Sequence, residues 1–151
     1  MRKFLPKVSR GFTLIELLVV IGILAVLLAI TLVAINPARQ FSQANNTKRA
    51  SDVNALLNAI HQYAADNKGA LPAGIPTTTA GAAVIGSDTV NGQVDICASL
   101  VTTYLAALPV DPLTLNGTPV SNCAQVGGYN TNYTVVRSTT DNRVSVAAPA
   151  A

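Results

Sequence analysis

The sequence predicts an α+β protein: a long, kinked N-terminal helix, apolar in its first half and amphipathic in its second, packed on a small antiparallel-sheet head. Three observations predict it. From Phe12 to Ile35 the 151-residue chain carries one charge, Glu16. From Ala38 to Lys68 an apolar stripe recurs at helical spacing, and from Tyr129 to Ala147 two segments partly alternate with period two.

The first segment would form a helix of roughly 36 Å at 1.5 Å per residue, enough to cross a bilayer core of about 30 Å. Half of the composition is hydrophobic, 50%, but only 5% is aromatic, and much of the apolar content sits in this run rather than in one large core. The formal net charge of +3 is equally local. Arg2, Lys3, Lys7 and Arg10 precede Phe12 with no acid among them, whereas six Lys/Arg face seven Asp/Glu in the remainder. This asymmetry predicts a cytoplasmic N-terminus by the positive-inside bias, and no nucleic-acid surface.

An ordinary secretory signal has an apolar region of about 7–15 residues and then a small-residue cleavage site. Here the run is longer and ends in "LVAINPARQ", so a cleaved signal of that kind is not expected. A plain anchor would explain the length. It would explain neither Gly11, set between the charges and the apolar run, nor Glu16 inside it. A lone carboxylate in hydrocarbon costs a few kcal/mol and usually marks function.

"GFTLIELLVVIGILAVLLAI" (residues 11–30) resembles the N-terminus of type IV prepilins and of the pseudopilins of type II secretion. In that superfamily a prepilin peptidase cuts the basic leader after its final Gly, on the cytoplasmic side, and methylates the new N-terminal residue. The resemblance implies cleavage between Gly11 and Phe12, with Phe12 as the N-methylated residue. It also implies that Glu16 is an assembly residue, pairing with the Phe12 amine of a neighbouring copy. An unpaired charge in low dielectric is strongly disfavoured and a paired one tolerable, so the pair would set the register of packed helices. The implied partners are identical copies in a homo-polymer, prepilin peptidase, a membrane-embedded assembly platform and, before assembly, the lipid bilayer. The implied location is the inner membrane, single-pass with the head outside, and then a periplasmic or surface filament.

The expected organisation has four segments: 1–11 as leader, 12–36 as transmembrane and assembly helix, 37–69 as second helix half, and 70–151 as head. Pro37 is expected to kink the helix rather than stop it. Val53, Leu56, Leu57, Ile60 and Ala64 form the apolar stripe, and Gly69 with Pro72 ends the helix. In the head, a strand is expected near Ala83–Ile85. A helix capped by Asp95 should run from Ile96 to about Ala107. A hairpin of 129–137 with 143–147 should turn at Asp141-Asn142.

Cys97 and Cys123 lie on the non-cytoplasmic side of the expected topology, where an oxidising compartment lets them form a disulfide. In type IV pilins such a C-terminal disulfide loop recurs, whereas "LPVDP" (108–112) resembles the calcium-holding region of major pseudopilins, so both families stay open. No metal site and no cofactor is predicted. Asp88, Asp95, Asp111 and Asp141 are scattered without EF-hand spacing, and His61 is the single histidine. No catalytic residue is expected either: no nucleophile motif accompanies His61, which reads as a solvated or helix-packed residue. A monomeric membrane-anchored binding module is the remaining function class, and it needs neither Gly11 nor Glu16.

Overall fold

A computed structural model of the chain describes residues 11–151. The basic leader expected over the first eleven positions therefore lies outside the described residues except for Gly11. The elements are α1 (Leu14–Ile35), α2 (Pro37–Asp66), β1 (Ala83–Gly86), α3 (Cys97–Leu100), β2 (Asn130–Arg137) and β3 (Val144–Ala147), with single 3-10 turns at Thr89–Asn91 and Leu115–Gly117. This is an α+β layout. The chain divides into two compact units, 1–41 and 42–151.

In the first unit, α1 is 22 residues long and holds an 18-residue window of mean hydropathy 3.2, sufficient in length and composition to cross a membrane. None of its residues is buried, and leucines, isoleucines and valines are exposed all round it. Such a surface needs a non-aqueous environment or other helices against it.

Where the sequence suggested one kinked helix, two helices meet at a one-residue break. Asn36 takes a left-handed conformation at φ 46°, closing α1, and Pro37 is the first residue of α2. The physical reason lies in both residues. Proline lacks the N–H that would continue the ladder but suits the first helical position. Asn tolerates positive φ and, being short and polar, caps the start of α2. Its carbonyl and Oδ1 both accept from the Arg39 N–H, at 3.1 and 3.4 Å.

The second unit contains the core. Leu56, Ala59 and Ile60 of α2 are buried there, with Val53 and Leu57 partly covered beside them. The helix stops as expected: Gly69, at φ 88°, donates its N–H to the Ala64 carbonyl at 2.7 Å. The strands form one antiparallel sheet in the order β1-β2-β3, with Val84 opposite Thr134 and Val135 opposite Val146. Inward positions alternate along β2: Thr131, Tyr133 and Val135 are buried. The pairing of β1 shifts between Val84 and Gly86. At Gly86 a side chain would strike the Gln93 amide and the Tyr129 carbonyl, so glycine there answers a close approach.

The helix expected from Ile96 to about Ala107 is a single turn, Cys97–Leu100. Asp95 does accept from the Cys97 N–H at 3.0 Å, but Thr102 turns to φ 73° and bonds its N–H to the Leu105 carbonyl at 2.7 Å, ending the helix. Leu100, Val101 and Leu108 are buried all the same, held by irregular backbone. Cys97 and Cys123 are joined by a disulfide across 26 positions.

Candidate functional site

The N-terminal site is built on the start of α1. Gly11 has open space where a side chain would project, and Phe12 is 86% exposed, so both flanks of this peptide bond are accessible. Thr13 comes next, in extended conformation (φ −80°, ψ 152°) as the helix N-cap, and Glu16 stands at the third helical position. The two close a capping box. The Thr13 Oγ1 accepts from the Glu16 N–H at 3.3 Å, and the Glu16 carboxylate accepts from the Thr13 N–H at 2.8 Å.

Charge pairing alone does not anticipate this role of Glu16, although the T-x-x-E spacing (13–16) is visible in the sequence. The capping geometry is compatible with the expected charge pairing at the atomic level. The Thr13 N–H and the Thr13 hydroxyl, which donates at 2.7 Å, both reach Oε2. Among the described residues nothing donates to Oε1. One carboxylate oxygen thus closes the helix start while the other is left without a donor among the described residues, on an exposed side chain.

Of the other residues singled out, Pro37 opens α2 in the same unit, and Cys97 and Cys123 belong to the second unit. His61 lies exposed on α2. The four scattered aspartates go to separate tasks. Asp88 accepts from the Asn91 N–H at 3.2 Å, Asp95 from the Tyr129 hydroxyl at 2.6 Å, and Asp141 from the Arg143 N–H at 3.2 Å.

Asp111, in the stretch that suggested calcium, is fully buried and engaged by Arg49 of α2. Arg49 donates Nε to Oδ2 at 2.6 Å and Nη2 to Oδ1 at 3.2 Å, a two-pronged pair, and the Leu113 N–H donates to Oδ1 at 2.9 Å. Hydrogen bonding from Arg49, above all, holds the Asp111 carboxyl below its ordinary range and raises the guanidinium above its own. Lys48 adds a bond from Nζ to the Val110 carbonyl at 3.2 Å. The "LPVDP" segment is therefore strapped to α2 by cations of the chain itself. In its local sequence nothing distinguishes Arg49 from a solvated helix charge.

A protein-family comparison decides what the N-terminal arrangement is. The matching model is described as "Prokaryotic N-terminal methylation motif" and covers residues 6–32. The chain carries a prokaryotic N-terminal methylation motif. That motif is the signature of type IV pilin and pseudopilin precursors. It includes Gly11, Phe12, Thr13 and Glu16 and ends within α1, so the 42–151 unit lies beyond it. No curated protein and no solved structure matches the chain.

Proposed function

We propose that the chain is a structural subunit of a type IV pilus-like filament, and that it is inserted in the inner membrane, trimmed by prepilin peptidase after Gly11, methylated on Phe12 and polymerised through α1. The observation that carries this reading is the methylation motif itself, with Gly11, Phe12 and Glu16 in register within residues 6–32. The fully exposed apolar surface of α1 supports it: lipid covers that surface before assembly and other copies of α1 cover it afterwards. Removal of the leader creates a cationic amine on Phe12, close in sequence to the Glu16 carboxylate. Pairing between subunits then joins complementary charges at nearly equal depth.

A pseudopilin of type II secretion carries the same kind of motif and is the second reading. The disulfide in the 42–151 unit favours the pilus, and the engagement of Asp111 by Arg49 takes away the carboxylate that the "LPVDP" resemblance had offered to calcium. Electron microscopy of sheared cell-surface material tests the choice. Surface filaments that contain this chain, with a mature N-terminus at methylated Phe12 by intact mass, are expected. A membrane-bound chain that retains the leader and forms no filament would overturn the proposal.

A further inference from the structure

Arg137, the last residue of β2, is unlike the other cations of the 42–151 unit. Lys48 and Arg49 sit within 3.1 and 2.6 Å of Asp52 and Asp111, Arg143 lies 4.0 Å from Asp141, and Lys68 is exposed to water. The Arg137 backbone is satisfied, its N–H donating to the Pro76 carbonyl and its carbonyl accepting from the Thr78 N–H, each at 2.8 Å. Its side chain makes no hydrogen bond among the described residues, and its Nε is buried with no acceptor. A buried N–H left without an acceptor is costly, and more so on a charged group. The guanidinium has lost water on one side and gained no counter-charge among the described residues.

The same side chain borders a cavity of about 430 Å³. Leu57 and Leu71 and the buried Val144 supply apolar wall, while His61, Asn142 and Arg143 stand with Arg137 as polar groups. Among the described residues no aspartate or glutamate lines it. Asp141 offsets Arg143 from outside the cavity, and the Arg143 side chain is 82% exposed, whereas no carboxylate among the described residues pairs with Arg137.

We propose that this cavity binds a small organic carboxylate, an anionic head on an apolar body, with Arg137 as its counter-charge. Three features select that class. The volume lies within the roughly 300–1,000 Å³ of small-molecule sites. A guanidinium presents a planar fork that matches a carboxylate. The apolar wall rewards an organic body, which inorganic phosphate lacks.

Full-length protein in uncharged detergent micelles is titrated with sodium benzoate, with benzamide as the neutral isostere and with inorganic phosphate, and followed by amide ¹H–¹⁵N shifts. Benzoate is expected to cause saturable shifts at Leu71, Asn142 and Val144, and benzamide none. Arg137→Gln should weaken benzoate binding roughly tenfold, as expected for loss of one charged hydrogen-bonding partner, with amide shifts elsewhere unchanged. Should that variant fail to fold, the contrast between benzoate and benzamide on the unaltered chain still decides. Absence of saturation by benzoate, equal shifts from benzamide, tighter binding of phosphate, or full binding by a folded Arg137→Gln would each overturn the proposal.

Discussion

Glu16 has one role in the structure and a second that is proposed, and substitution can separate them. Its Oε2 completes the capping box with Thr13, and its negative charge is the proposed partner of the Phe12 amine. Gln at this position serves a capping box as Glu does, because its carbonyl oxygen accepts the same N–H. Glu16→Gln should therefore keep the helix start, the insertion and the cleavage, yet lose filaments. Glu16→Ala should lose filaments as well while inserting more readily, since a charge that costs a few kcal/mol in lipid has gone. Thr13→Ala removes the cap and not the charge; it should weaken the helix start by about 1 kcal/mol and leave filaments present. Filament yield from sheared cells, normalised to mature protein in the membrane, reads all three. Wild-type yield from Glu16→Gln would show that the cap, and not the charge, is what this residue supplies.

Between elements, a buried ion pair straps α2 to the segment after Leu108. Arg49 and Asp111 are 62 positions apart, and both side chains are almost fully withdrawn from water. Removing one partner of such a pair leaves a buried charge and costs about 3–5 kcal/mol, whereas replacing both by apolar groups is often near neutral. Arg49→Met should thus lower the melting temperature of full-length protein in micelles sharply, and Arg49→Met with Asp111→Leu should recover most of the loss. The pair also gives acid sensitivity a sign. Asp111 is held below its ordinary value of 3.8, so its contribution is present above that pH and is lost as the pH falls through the depressed folded-state value. In Arg49→Met that acid-dependent loss should shrink, read as a smaller drop in melting temperature between pH 5 and pH 3. The strap is not legible in the sequence because it joins distant residues, each ordinary in its own neighbourhood. Local signals are more legible: the runs of α1 and α2, Gly69 at the helix end, and the alternation of β2 can all be read from the chain. After Asp95 the sequence suggests too long a helix, because the Leu108-Pro109 stop looks decisive, while the true stop at Thr102 comes from a backbone bond to Leu105. At the N-terminal site Gly11, Phe12 and Glu16 are legible as a motif, and the spacing of Thr13 to Glu16 spells a cap that the charge pattern hides.

On the scale of the whole molecule, the two units draw stability from different sources. Unit 1–41 has no buried residue in α1, so its environment must satisfy its apolar surface. Unit 42–151 has its own core, with Leu56 and Ile60 of α2, Ile85 of β1 and Tyr133 and Val135 of β2 fully buried. It has few aromatics to fill that core, and three of its tyrosines spend their hydroxyls on aspartates: Tyr104 on Asp66, Tyr129 on Asp95 and Tyr133 on Asp52, at 2.9, 2.6 and 2.8 Å. A crosslink matters in a unit of this size. The Cys97–Cys123 bridge spans 26 positions, and a loop of that order corresponds to about 3 kcal/mol of lost unfolded-state entropy. Cys97 is itself fully buried, so replacing both cysteines by alanine, which is apolar and smaller than the bridge, adds a modest packing loss to the entropic one. The paired substitution should therefore lower the melting transition of 42–151 markedly, followed by near-ultraviolet circular dichroism of the tyrosines in full-length protein. Insertion should not change, because α1 carries the apolar surface and no cysteine lies in it. Carbonate extraction of membranes checks that half. If the cysteine-free chain melts as the oxidised one does, the core alone holds the unit, and if it leaves the membrane on extraction, the units are not independent.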